Sequence, residues 1–176
     1  NFGFTDSTHW FRFSITNHTN KRTVLLEQRY TLIDYMSVFT PNPNGGFIEQ
    51  RSGDMLPFIQ RERPERTITF TLDIEPGLTQ LIYARTLSLD STELPLKVYT
   101  EAAFARSVER ESSVLGGFYG IMLVMILYNL FIFLSTRSVS YLYYVFYIAS
   151  YTLINMATNG LGFQFLYPEW IWFQNE

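Results

Sequence analysis

The chain contains no cysteine, which excludes disulfides, thiol catalysis and cysteine–zinc sites. Histidine is nearly as scarce. His9 and His18 are the only two, and neither stands at a carboxylate spacing that would complete a metal site. No Ser/His/Asp arrangement is readable, nor a glycine-rich phosphate loop after a strand, so neither a catalytic residue nor a cofactor is expected. The net charge is −3 with both signs dispersed, which leaves no basic stripe for nucleic acid. The absence that decides most is a local one. From Ser113 to Pro168 the only charged residue is Arg137, whereas residues 1–112 hold 12 Lys/Arg and 14 Asp/Glu.

Charge loss over that length points to a lipid bilayer as a partner. Val114 to Leu134 is uncharged, and as a helix it spans about 31 Å, close to a hydrocarbon core of roughly 30 Å. After the break at 135–138 a second uncharged run extends from Val139 to Gly160. Two transmembrane helices are expected, 114–134 and 139–160, joined by a tight turn at 135–138. A helical hairpin buried in a soluble core is the alternative, but such helices seldom go this long without charge. Arg137 puts the turn on the cytoplasmic side by the positive-inside tendency. Residues 161–176 then form an extracytoplasmic interfacial loop. Tyr141, Tyr143, Tyr144, Tyr147 and Tyr151 crowd the start of the second helix, and Tyr167, Trp170 and Trp172 follow its end, as interfacial anchors do. Asn129, deep in the first helix, should face the other helix and hydrogen-bond to it. Gly116 and Gly120 form a GxxxG spacing through which a second copy, or a partner receptor, would approach.

The first hundred residues alternate with a period of two. Phe11, Phe13 and Ile15 share one face of a strand at 9–16, and Trp10, Arg12 and Ser14 share the other. Further strands are expected at 23–29, 31–40, 47–51, 66–72, 79–87 and 94–100. Pro41 to Gly46 and Glu75-Pro76-Gly77 are turns. Met55 to Glu65, bracketed by Pro57 and Pro64, is a long irregular loop. Seven short strands so spaced read as a β-sandwich of the jelly-roll or immunoglobulin-like kind over 1–100. Residues 101–113 change to a helical period and run without proline into the first membrane helix, as a juxtamembrane joint. Asn17-His18-Thr19 fits a glycosylation sequon, but an ordinary turn is the preferred reading.

The order of several short motifs resembles a known family. Phe4-Thr5-Asp6-Ser7 precedes Trp10-Phe11-Arg12-Phe13, then come Ser52-Gly53-Asp54 with Pro57, and Leu94-Pro95-Leu96. These are similar to the type 2 extracellular domain of the bacterial 7TM receptors with diverse intracellular signalling modules. Gly120-Ile121-Met122, Leu127 to Phe131, Ser140 to Tyr144 and Asn159-Gly160-Leu161 resemble the opening of that family's seven-helix region. The resemblance implies a jelly-roll sensor similar to carbohydrate-binding modules, placed in the periplasm on the bacterial inner membrane. It also implies seven helices, of which two are here, and a cytoplasmic output module such as a diguanylate cyclase or histidine kinase, absent from this chain. That domain normally begins some tens of residues earlier, so the sandwich is expected to be incomplete at its N-terminus, and the chain to be a piece of a longer protein.

One constellation suggests a ligand site. Trp10 and Arg12 share a strand face opposite the core, and Asp54 and Arg66 flank the irregular loop. An aromatic plane with charged hydrogen-bonding groups suits a saccharide or similar small polar molecule. The structural alternative is that Trp10 covers a second core face and Arg12 pairs with Asp54 to hold the loop. The function expected is the sensor and membrane anchor of a signalling receptor; the alternative is an anchored carbohydrate-binding or adhesion module without signalling. A transporter segment would need charges within its helices, and none are present.

Overall fold

The computed structural model of the chain describes residues 7–88 and 94–165. Asp6 and the residues before it, and Tyr167, Trp170 and Trp172, lie outside that range. Among the described residues, seven strands precede three α-helices, with one short 3-10 turn (Phe58–Gln60) between the fourth and fifth strands: β1 (His9–Thr16), β2 (Thr23–Gln28), β3 (Tyr35–Pro41), β4 (Phe47–Ser52), β5 (Ile68–Asp73), β6 (Thr79–Leu87) and β7 (Leu96–Tyr99), then α1 (Glu101–Thr136), α2 (Val139–Thr158) and α3 (Leu161–Phe165). All strand pairs are antiparallel and make two sheets, one in the order β1-β6-β3-β4 and one in the order β5-β2-β7. The expected β-sandwich followed by a helical region is what forms.

The period-two pattern explains the core. Ile15, Met36, Val38, Ile82 and Ala84 point inward from the four-stranded sheet, and Val24, Leu26, Ile68, Phe70 and Leu72 meet them from the other. Full burial of each such aliphatic or aromatic side chain contributes about 1.5–3 kcal/mol, so this layer dominates the stability of the sandwich. Asn17 closes one end of it. Its amide nitrogen donates to the carbonyls of Lys21 (2.7 Å) and Ile74 (2.6 Å), and its Oδ1 accepts from the Thr19 amide and hydroxyl. A side chain so occupied, and buried, is a turn organiser and offers no acceptor for a glycan.

β5 and β7 start two residues later than expected, at Ile68 and Leu96, and β3 departs furthest. β3 begins at Tyr35, not Thr31. Residues 31–34 instead run beside 53–55, where the Asp54 amide donates to the Ile33 carbonyl (2.9 Å) and the Met55 amide to that of Asp34 (3.3 Å). Gly53 makes the crossing possible, since a Cβ there would stand 2.0 Å from the Asp34 carbonyl oxygen.

The joint and the apolar helix that follows it form one continuous rod. Thr100 caps α1 by accepting from the Ala103 amide (3.3 Å), and Glu101 sits in the first turn, where the helix dipole favours a negative charge. Buried Phe104 packs edge-on against Tyr99, which fixes the helix start to the end of β7. The 36 residues of α1 extend about 54 Å without a break at Gly116-Gly117. Arg137, in the left-handed region with φ 58°, stops the helix, and α2 starts two residues later. Among the described helices, α1 is the one long and apolar enough to cross a membrane by itself. α2 carries no charged residue, but its five tyrosines lower its hydropathy. Val114, Ile121, Val124, Leu127 and Phe131 all face outward. A hairpin serving as a soluble core would cover them. Asn129 is buried as expected, but its amide donates to the Met125 carbonyl of its own helix (2.8 Å) and makes no bond to α2.

Candidate functional site

The outer face of the four-stranded sheet carries a cluster that the strand order assembles. Register places Trp10 opposite Arg85 and Arg12 opposite Tyr83 across β1 and β6. Phe39 of β3 stands opposite Tyr83 on one side and Glu49 on the other. Trp10 stacks on Phe39 with ring centroids 5.4 Å apart, and Phe47 meets Tyr83 edge-on at 5.5 Å. The Arg85 guanidinium lies 5.8 Å from the Trp10 ring and 6.0 Å from that of Phe39. Its charge is met by Glu49 at 3.5 Å, which also draws in Arg51 at 3.7 Å. A cleft of about 360 Å³ opens alongside, lined by Tyr35, Ser37, Arg51 and Arg85. Trp10 remains 58 % exposed, so it covers no second core face. Exposed ring planes flanked by guanidinium and carboxylate groups can stack on an apolar ring face and hydrogen-bond polar substituents around it.

The four residues singled out from sequence do not converge. Trp10 and Arg12 lie on this outer face. Asp54 is buried at the root of the irregular loop. There burial pushes the Arg61 guanidinium down to about 10, against the opposing pull of the Asp54 charge, so Arg61 stays protonated at neutral pH. Arg61 stacks on Phe58 and donates to the carbonyls of Glu65 and Arg66, which makes it the hub of the loop. Phe39, Tyr83, Arg85 and Glu49 join the outer cluster from strands distant in sequence.

Arg66 faces the helices. Its Nη2 donates to Glu111 Oε2 of α1 (2.5 Å), and its Nη1 to the Asn159 carbonyl just beyond α2 (3.0 Å). Arg29 Nη2 donates to the other oxygen of Glu111 (2.6 Å). The Thr31 hydroxyl reaches the Thr158 carbonyl (2.8 Å), and Gln164 reaches back to the Pro64 carbonyl (3.1 Å). Gly160, at φ +75°, lies so close to Thr31 and Arg66 that a Cβ there would come within 3.2 Å of the Thr31 methyl. The sandwich is therefore fastened to both long helices at once. A cavity of about 280 Å³ lies in this joint, between Glu27, Thr67 and Arg66 on one side and Leu115, Tyr119 and Met156 on the other. Among the described residues, no group of His, Asp and Glu is arranged to hold a metal ion.

Two family models match this architecture. Residues 1–100 match "7TMR-DISM extracellular 2", and residues 111–176 match "7TM diverse intracellular signalling". No curated protein matches the chain. The two matches divide the chain where the sandwich gives way to α1, and they make it a membrane protein with an extracellular part. A two-sheet sandwich seated on a long apolar helix, with both family models in that order, identifies the chain as a member of the 7TM receptors with diverse intracellular signalling modules, comprising the type 2 extracellular domain and the start of the 7TM region.

Proposed function

We propose that this chain is the sensing and membrane-anchoring portion of a bacterial signal-transducing receptor, with the sandwich in the periplasm and α1 and α2 crossing the inner membrane. The outer sheet face around Trp10, Arg12, Phe39, Tyr83 and Arg85 takes a small polar ligand of carbohydrate-like chemistry. The state of the sandwich then passes through the Arg29–Glu111–Arg66 joint into the helices, and from there to a cytoplasmic output module outside this chain. The observation that carries this reading is the double attachment of Arg66 to α1 and to the end of α2. Relay requires the ligand to favour one of two arrangements of that joint. The arginine at the α1–α2 turn supports the orientation. A second copy or partner receptor would meet α1 along Gly116 and Gly120, where added methyls would touch nothing in this chain.

The reading is tested in two arms. A library of soluble mono- and oligosaccharides is screened against the detergent-solubilised chain, and any binder is retested with Trp10→Ala and Arg12→Gln. Retained binding in both variants removes the outer face as the site. In cells making the full-length receptor, Glu111→Gln should alter the basal or ligand-induced output while membrane insertion is preserved. An unchanged output defeats the relay and favours an anchored binding module without signalling.

A further inference from the structure

A second cavity, of about 630 Å³, lies on the far side of the Arg66–Glu111 bridge and has no part in the sensing face. Arg29, Arg66, Lys97 and Arg110 line it, with Glu111 as its one carboxylate, a net of three positive charges. Glu111 is already engaged by Arg29 and Arg66. Among the described residues, Lys97 and Arg110 have no carboxylate within ion-pair distance. The wall below them is Val114 and Leu115, where the uncharged run of α1 begins. Arg110 stands about 6 Å along the helix axis before Val114. A bilayer's headgroup layer occupies roughly 5–8 Å beyond each edge of the hydrocarbon. If the hydrocarbon starts at Val114, the cationic cavity sits at the depth of the lipid phosphates.

We infer that this cavity binds a phosphate group, that of an anionic phospholipid in the leaflet next to the sandwich, with Lys97 and Arg110 as the principal contacts and its acyl chains leaving along Val114 and Leu115. The inference rests on the reading that α1 crosses the membrane with the sandwich on the Arg110 side. Two unneutralised cations at headgroup depth attract an anionic lipid, whereas a zwitterionic one brings its own counter-charge. A phosphate bound there sits against the residues that join the sandwich to the helices, so lipid composition becomes an input to the same joint.

The experiment uses the chain in nanodiscs of phosphatidylcholine doped with phosphatidylglycerol, and retained lipid is counted by native mass spectrometry. Wild type should retain phosphatidylglycerol in preference to phosphatidylcholine. Lys97→Gln with Arg110→Gln should weaken that retention roughly 30-fold, and Lys97→Arg with Arg110→Lys should restore it. Arg137→Gln, at the opposite end of α1, should leave it unchanged. Equal retention by wild type and the double glutamine variant overturns the site. Resistance of the chain to carbonate extraction from membranes is measured in parallel. A chain released by carbonate overturns both the membrane reading and this one, while a retained chain with an unaffected variant overturns the site alone. Excess inorganic phosphate separates the sources: displacement of the lipid assigns the cavity to phosphate of any origin, and failure to displace assigns it to the lipid.

Discussion

Removing the Glu111 carboxylate should loosen the sandwich from the helices while leaving both folded. Glu111 accepts from Arg66 at 2.5 Å and from Arg29 at 2.6 Å, with side-chain exposures of 27 % for Glu111, 19 % for Arg66 and 35 % for Arg29. Well-buried hydrogen bonds to charged groups contribute about 1.5–3 kcal/mol, and fully exposed ion pairs about 0.2–1 kcal/mol. The Arg66 bond belongs near the lower end of the first range, about 1.5 kcal/mol, and the more exposed Arg29 bond inside the second, about 0.7 kcal/mol. Glu111→Gln should therefore cost about 2 kcal/mol at the joint, a roughly 30-fold rise in its opening equilibrium. The assay is hydrogen exchange at the amides of Asn159 and Gly160, whose protection comes from bonds to the Asn155 and Ala157 carbonyls at the attached end of α2. A double-mutant cycle with Arg66→Gln should give a coupling of about 1–2 kcal/mol, larger than the cycle with Arg29→Gln, and the Arg29 coupling should fade first as salt rises. Arg66 coupling below about 0.3 kcal/mol, or Arg29 coupling larger than that of Arg66, would refute the reasoning.

Two further substitutions probe the sandwich itself. Gly53→Ala drives a methyl into the Asp34 carbonyl and should cost more than about 3 kcal/mol, seen as loss of folded protein on expression or a collapse of the urea midpoint. Asn17→Ala leaves the Lys21 and Ile74 carbonyls without their donor and should cost about 2–4 kcal/mol by urea unfolding, while wild-type chain made in a glycosylating host should show no added glycan mass at Asn17.

Strands were legible wherever one face is buried and the other is not. β6 runs from Thr79 to Leu87 as the alternation of Ile82 and Ala84 with Leu81, Tyr83 and Arg85 requires. Residues 31–34 misled because Thr, Leu and Ile suit a strand locally, while the contact that overrides them comes from Gly53, about twenty residues on. The outward direction of Trp10 and Arg12 could be read, but not their company. Phe39, Tyr83 and Glu49 reach them only through the order β1-β6-β3-β4, which no local pattern encodes. Arg66 reads as the head of a strand that flanks the irregular loop across from Asp54, and nothing within its own segment announces Glu111, 45 positions away. The uncharged helical stretch needed no such knowledge, since depletion of charge is a property of the stretch itself.

The unbroken course of α1 has a mechanical corollary. Each residue of an α-helix turns the chain by about 100° and advances it 1.5 Å. With no hinge between Glu101 and Thr136, the sandwich and the helical hairpin are geared in angular phase. A single residue inserted between Phe104 and Glu111 would swing Glu111 by about 100° away from Arg29 and Arg66, although every local helical bond would survive. Conversely, a small twist of the sandwich cannot dissipate in the connection and must appear as rotation of α1.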